Sequence, residues 1–103
     1  VKGASNTGGS NMYDTAAEVG SKTVVIAENL NSNDREFFEF GVIDNGTDIF
    51  HTEYGNVKTG TQLIIPTFER TAGGLARINF ELGANVTSGH NIEITIVSNI
   101  TKK

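Results

Sequence analysis

The sequence contains no cysteine and no tryptophan, and it has one proline and one methionine. Without cysteine the chain forms no disulfide, offers no thiolate nucleophile and binds no metal through sulfur, and the redox compartment stays undetermined. Tyr13 and Tyr54 are the two tyrosines. With no tryptophan beside them, a platform of rings for stacking on sugars is weakly supported.

Positive charge and long apolar runs are also scarce. Eight Lys and Arg residues stand against twelve Asp and Glu, for a formal net charge of −4. Nucleic acid is therefore not an expected partner, because no basic stripe attracts phosphate. No apolar run approaches the roughly 18–20 residues of a membrane span, and the N-terminus lacks the plan of a signal peptide. We expect a soluble protein with no membrane partner.

The length of 103 residues, 37% of them hydrophobic, fits one domain with one core. Residues 1–12 are rich in Gly, Ser and Asn and have few large side chains, which predicts a flexible arm or linker. Residues 13–103 are predicted to form the folded domain. Because the first residue is Val1, we expect an excerpt of a longer chain or a trimmed precursor.

Six segments rich in β-branched and aromatic residues follow the predicted arm, and Gly, Asn, Asp or Ser clusters separate them: "KTVVIAE", "REFFEFGVI", "DIFHTEYG", "TQLIIPTFE", "LARINFEL" and "NIEITIVSNIT". Polar and apolar residues alternate most clearly in 75–82 and 92–96, which gives each segment one face for the core. Pro66 cannot donate to a ladder, which predicts that its strand is an edge strand or is interrupted there. The stretch "MYDTAAEVGS" predicts one short helical turn capped by Asp14 or Thr15. The fold class is all-β, an antiparallel β-sandwich of about six to eight strands.

The segment "FEFGVIDNGTDIFHTEYG" predicts a hairpin, and "NG" favours a two-residue loop. That register would place Phe40 opposite His51, so that an aromatic face would meet a charged one. A loop of odd length reverses the faces of the second strand. We therefore predict an odd-length loop, with Asp44 to Asp48 as the turn. The predicted core side chains are Phe38, Phe40, Phe50 and Tyr54. Phe37, Ile43 and Ile49 would then lie on an outer face that is more apolar than an isolated domain needs, which predicts a partner surface.

Several polar residues are candidates for a binding site. Asp44, Asn45 and Asp48 offer oxygen ligands for calcium but lack the spacing of a calcium loop, so a turn is the better interpretation. His51 and Glu53 would share one strand face and could begin a metal site. The chain has only two histidines, His51 and His90, so a third ligand would have to be a carboxylate, and an ordinary surface pair is favoured.

Nucleophilic catalysis has no support in the sequence, since a Gly-x-Ser-x-Gly elbow is absent. Glu39 and Glu53 have no context that marks a catalytic carboxylate pair. The Gly-rich "TGGSN" and "TAGG" lack the Lys of a phosphate loop and predict a linker and a turn. Three triplets match the glycosylation sequon, at Asn45, Asn85 and Asn99. We predict no enzyme, with no catalytic, cofactor-binding or metal-binding residues and no cofactor.

Three stretches carry a resemblance to a known kind of protein: "YDTAAEVGSKTVVIAEN", "REFFEFGVIDNGTDIFHTEYGNVKTGTQL" and "GGLARINFELGANVTSGHNIEITIVSNI". Together they resemble a β-rich domain of tailed-phage virion proteins, of the tail-fibre, neck or appendage type, familiar from marine and cyanobacterial phages. The sharpest part is Thr52-Glu53-Tyr54-Gly55 with Val57, Thr59 and Gly60. The resemblance runs from about Tyr13 to Ile100.

The resemblance implies a non-catalytic virion structural protein, a fibre, decoration or neck component that acts by self-assembly. Its expected partners are further copies of itself and other virion proteins, and its expected location is the virion. One alternative is a carbohydrate- or receptor-binding module at a fibre tip, with Tyr13, His90 and the loop Gly83 to Gly89 as candidates for contact with a host-surface glycan. Another is a filament subunit in which residues 1–12 complement a neighbour's sheet.

Overall fold

Eight strands build the protein in the computed structural model, which describes residues 2–3 and 7–102. In chain order they are β1 (Lys2–Gly3), β2 (Thr7–Asp14), β3 (Glu18–Asn29), β4 (Arg35–Asp44), β5 (Ile49–Lys58), β6 (Ile64–Arg70), β7 (Leu75–Leu82) and β8 (Ile92–Lys102). The larger sheet has the order β1-β8-β3-β4-β5 and the smaller sheet the order β2-β7-β6. Every strand pair is antiparallel, and the sheets pack as a sandwich. The predicted fold class is confirmed.

The core lies between the sheets because alternate residues of each strand point inward. All six predicted strands are present, and the two clearest alternations are confirmed: Ala76, Ile78 and Phe80 are buried in β7, and Ile92 and Ile94 are buried in β8. The buried apolar cluster draws on both sheets: Val25, Ala27, Phe38, Phe40, Val42, Leu63, Ile64, Ile78, Phe80, Ile92 and Ile94.

Parts of the predicted N-terminal arm pair with other strands in the structure. Lys2–Gly3 pairs with β8, and Thr7–Asp14 pairs with β7. The predicted boundary at residue 13 therefore falls inside β2, while residues 1 and 4–6 of the arm lie outside the described part. A Cβ at Gly9 would lie 2.6 Å from Asn79 Oδ1. Glycine, which suggested a linker, here lets neighbouring side chains cover the strand.

The helical turn predicted within residues 12–21 is wrong. β2 runs to Asp14 and β3 starts at Glu18, which leaves three residues for a tight turn. The Ala16 amide donates to Asp14 Oδ1 at 2.9 Å, so Asp14 forms an Asx turn instead of a helix cap. Thr15 is drawn to the β6–β7 turn, because its amide and its hydroxyl both donate to the Gly74 carbonyl.

A buried carboxylate ties the larger sheet to the point where the chain crosses into the smaller sheet. Glu36 is 2% exposed, and its Oε1 accepts hydrogen bonds from the amides of Leu63 at 2.9 Å and Ile64 at 3.4 Å. Its Oε2 accepts a bond from Asn56 Nδ2 at 3.0 Å. One side chain thus connects β4, β5 and the start of β6. The strand that follows, β6, contains Pro66 and is an edge strand, as predicted.

The β4–β5 hairpin overturns the predicted loop length. Asp44 pairs with Ile49, so the loop has the four residues 45–48, an even number. Phe40 faces Glu53 across the ladder. Phe38 and Phe40 are buried as predicted, whereas Phe50 and Tyr54 are 51% and 67% exposed and do not join the core. The charged face is tolerated because β5 is an edge strand whose side chains are mostly exposed.

Candidate interaction surface

The larger sheet turns a second face away from the core, and we call this the outer face. It is formed by the side chains of β3, β4, β5 and β8 that alternate with the buried ones. Its large apolar members are Val24, Ile26, Phe37, Ile43, Phe50, Tyr54, Val57 and Val97. Ile49, predicted to lie here, packs against the core instead.

Strand register places these apolar residues side by side. Ile26 lies between Phe37 and Thr95 across the ladders, and Phe37 in turn lies beside Val57. Val24 lies beside Val97 in the next row. The apolar residues therefore form a continuous stripe across the sheet, and cross-strand neighbours of this kind are close enough to touch.

Six of the eight large apolar side chains of the outer face are exposed, and Val24 and Phe37 are half-buried. Val57 is 66% exposed, Ile43 59% and Val97 57%. Scattered exposed apolar residues are ordinary on protein surfaces, but contiguous patches mark sites of interaction. The outer face is therefore the candidate functional surface of the domain.

Charged residues beside the stripe are paired within the chain. Lys22 Nζ lies 3.0 Å from Glu39 Oε1, and Arg35 Nη2 lies 2.7 Å from Glu28 Oε2. Both pairs join β3 to β4 on the outer face. Such exposed pairs add little stability, about 0–1 kcal/mol each. Their effect is to leave this part of the face without excess charge.

A groove of about 620 Å³ opens at the hairpin end of the outer face. Phe50, Tyr54, Lys22 and Thr52 contribute to its lining, and Gly41 forms part of it. The Tyr54 ring covers Gly41, since a Cβ added there would lie 2.9 Å from the ring. Tyr54 is the extra residue of a β-bulge, because Phe40 pairs with Glu53 and Glu39 pairs with Gly55. The bulge keeps Tyr54 on the outer face while the strand register changes.

The outer side of the smaller sheet is polar by contrast. Arg77 Nε donates to Asn79 Oδ1 at 2.9 Å, and its Nη1 donates to Asn11 Oδ1 at 3.2 Å. Glu69 Oε1 lies 3.9 Å from Arg77 Nε. A solvated antiparallel sheet shows this kind of polar side. The two sides of the sandwich thus differ in chemistry.

The candidate calcium ligands Asp44, Asn45 and Asp48 form the hairpin turn, as predicted. Asp44 Oδ1 accepts a bond from the Gly46 amide at 3.1 Å. Asn45 Oδ1 accepts bonds from the amides of Thr47 at 3.0 Å and Asp48 at 2.9 Å. Gly46 has a φ of 91°, which favours glycine. Within the described residues, no group of three or more His, Cys, Asp or Glu side chains is placed to hold a metal ion.

The side chains of His51, Glu39 and Glu53, the other candidates for a metal or catalytic site, do not come together at one site. The His51 ring centroid lies 4.6 Å from that of Phe68 and 6.2 Å from that of Phe40, so His51 covers the rim of the core. Glu39 pairs with Lys22 on the outer face, whereas Glu53, opposite the inward-pointing Phe40, lies on the other face. The sheet therefore separates these two carboxylates. The sequon residues Asn45, Asn85 and Asn99 are all exposed.

Tyr13 is buried, at 5% exposure, so it cannot serve as a sugar-stacking ring in this structure. Burial, together with the nearby carboxylates of Asp44 and Glu18, raises the pKa of Tyr13 to about 12. The physical cause is that a phenolate here would lose hydration and face negative charge. Tyr13 therefore stays protonated at neutral pH and belongs to the end of the core.

His90 and the loop Gly83 to Gly89 lie at the end of the sandwich opposite the hairpin groove. His90 has a structural role there. His90 Nδ1 lies 3.0 Å from Asn29 Nδ2, and Asn29 is 3% exposed. Asn29 Oδ1 also accepts a bond from the Asn31 amide at 2.9 Å. His90 thus joins two loops at one end of the sandwich, while Asn85 and Thr87 in the loop are exposed.

The comparisons with known proteins bear on the fold. No protein-family model matches the chain, and no curated protein does. Among solved structures, the tailspike protein of Acinetobacter phage vB_ApiP_P1 matches with a TM-score of 0.53 at 14% identity. The match covers 100% of this chain and 20% of that protein, so the chain spans about a fifth of its length. Among the described residues, no helix is long and apolar enough to cross a membrane. The chain is similar in fold to part of a phage tailspike protein.

Proposed function

We propose that the chain is a non-catalytic structural module of a tailed-phage virion, a fibre, decoration or neck component that works by self-assembly. The observation that carries the proposal is the continuous apolar stripe on the outer face, on a sandwich whose other side is polar. The fold shared with part of a phage tailspike protein supports the virion setting. Other virion proteins are the expected further partners.

Building-block function fits the way this chain uses its polar side chains. Glu36 holds a chain crossing, Asp44 and Asn45 hold a turn, and Glu39 balances Lys22. These groups already have structural partners. A domain that contributes rigidity and contact area needs this arrangement, since each bond fixes a strand or turn that carries the outer face.

The proposed location is tested on particles. An antibody raised against the purified chain is applied to virions purified from a culture that carries the gene, and bound antibody is located by immunogold electron microscopy. Label at a tail, fibre or neck position supports the proposal. Particles that contain the other virion proteins but carry neither label nor peptides of this chain by mass spectrometry would contradict it.

A second candidate is a carbohydrate- or receptor-binding module, and the hairpin groove favours it. Phe50 and Tyr54 are half or more exposed beside Lys22 and Thr52, and exposed rings next to polar groups suit a sugar. The test is retention on a glycan array by the intact chain. The Tyr54→Ala variant should lose retention, while Ile65→Ala on the smaller sheet should keep it; an array without signal for the intact chain counts against this candidate.

A further inference from the structure

We propose that the outer face binds the outer face of another copy of this chain, with the apolar stripe at the centre of the contact. This inference deepens the proposed assembly function and rests on it, because it names the surface and the partner. Val24, Ile26, Phe37, Val57 and Val97 form the stripe. Each of the five has an apolar neighbour directly across a strand ladder.

The size of the outer face suits a contact between folded domains. β4 and β5 have ten residues each. Four long strands spaced about 4.8 Å apart and rising about 3.3 Å per residue outline roughly 600 Å². A stable interface buries about 800 Å² on each partner, and projecting side chains raise the accessible area above the flat outline. A second sandwich of the same kind is large enough to cover the stripe.

Charge points to a copy of the chain rather than to a partner of opposite charge. Lys22 and Glu39 are paired, as are Arg35 and Glu28, at both sides of the stripe. A strongly charged partner would be attracted by unbalanced charge, and these four residues present balanced charge. An apolar, balanced surface is complementary to itself, as a contact between identical faces requires.

The outer face has both projecting side chains and a groove, which a contact between copies could match to each other. Tyr54 and Val57 are the most exposed apolar side chains of β5, the edge strand. Beside the Tyr54 ring, at the hairpin end of the face, opens the groove lined in part by Phe50, Lys22 and Thr52. Aromatic anchors that fill a partner's depression often dominate binding energy. We therefore assign Tyr54 the role of an anchor between copies.

The test measures mass in solution by light scattering over a range of protein concentrations, with the intact chain. The variant Val57→Lys with Val97→Lys places charge at two well-exposed stripe positions. The control Ile65→Lys places the same charge on the smaller sheet, where Ile65 is 39% exposed. The intact chain and the control should form a discrete oligomer, and the stripe variant should associate about a hundredfold more weakly, since buried unpaired charge is costly.

Circular dichroism shows whether each variant keeps its strands. Should the lysine variant unfold, Val57→Ser with Val97→Ser replaces it and should also weaken association. An intact chain that stays monomeric at high concentration overturns the inference, and so does an oligomer that the stripe variants leave unchanged. A monomer that binds a glycan array through Tyr54 assigns the face to a saccharide and overturns it as well.

The two proposals fail in different experiments. If virions carry no label but the stripe variant dissociates the oligomer, the virion function is wrong and the contact between copies is supported. If virions carry the chain but the stripe variants do not change the mass of the oligomer, the virion function is supported and the assigned surface is wrong.

Discussion

Replacing Glu36 with alanine should destabilise the domain by about 3 kcal/mol. Glu36 is 2% exposed and accepts three hydrogen bonds, of which the bond from the Leu63 amide is well inside the sandwich because Leu63 is 0% exposed. A hydrogen bond to a charged group contributes about 1.5–3 kcal/mol, and a buried amide left without a partner costs about 1–3 kcal/mol. The Asn56 bond adds little because Asn56 is exposed.

Urea unfolding at one protein concentration measures this loss, and a change of about 3 kcal/mol should lower the melting temperature by roughly 12–24 °C in a domain of this size. Glu36→Gln keeps one carbonyl acceptor for the Leu63 amide, so its loss should be about 1–1.5 kcal/mol. Glu81→Ala, on an exposed position of β7, is the matched control and should change stability by less than about 0.5 kcal/mol. A Glu36→Ala loss below about 1 kcal/mol would refute the role of this carboxylate.

Three further predictions concern single sites. Because burial and the neighbouring carboxylates raise the pKa of Tyr13 to about 12, above the unfolded value of 10.0, its contribution to stability is complete below pH 10 and is lost as the pH rises towards 12. The intact chain should therefore lose up to about 2 kcal/mol relative to Tyr13→Phe in urea titrations between these pH values, and parallel curves would contradict the assignment. Gly46→Ala should cost about 1 kcal/mol because of its φ of 91°, whereas Gly55→Ala, which also has open space around it, should be near neutral in the same thermal assay. Thr23→Val should cost about 1 kcal/mol because Thr23 Oγ1 lies 2.8 Å from the buried Ser21 hydroxyl. Adding Ser21→Ala should recover part of that loss, and strict additivity in the double-mutant cycle would show that the two hydroxyls do not interact.

The strands were predictable because each of the six carries its own local signal. β7 alternates so regularly that Ala76, Ile78 and Phe80 could be assigned to the core without knowledge of any partner strand. Pro66 likewise identified its strand as an edge, because the missing amide is a property of the residue itself. Local chemistry therefore predicts which segments are strands and, where polar and apolar residues alternate as clearly as in β7, which side of the strand faces inward.

The N-terminal strands were missed because their signal comes from their neighbours. Thr7–Asp14 contains two glycines and no alternating apolar residues before Met12, so composition favours a linker. In the fold, however, Gly9 lies beneath the side chains of Arg77 and Asn79, which supply the cover that the strand lacks. Such pairing depends on a strand almost seventy residues away in the sequence, and no local pattern reports it.

The hairpin shows how one incorrect parity changes a functional interpretation. The prediction rejected an even loop because Phe40 would share a face with charged side chains, and this assumed that the inner side of β5 is fully covered. β5 is instead an edge strand, where His51 packs its ring against Phe68 and Glu53 reaches solvent. With the observed four-residue loop, Phe50 and Tyr54 move from the core to the outer face. The core keeps enough apolar side chains from the other strands to remain closed without them.

The same parity strengthens the case for a partner. The sequence already predicted that Phe37 and Ile43 would lie outside the core, and the observed register adds Phe50 and Tyr54 to that side, where Val57 also lies. An isolated sandwich would gain solubility from polar residues at these positions, as the smaller sheet does with Arg77 and its neighbours. Most of the exposed large apolar side chains lie on this one sheet face and point away from the core, so they do not contribute to it. The contact between copies that we propose accounts for both the position and the chemistry of this face.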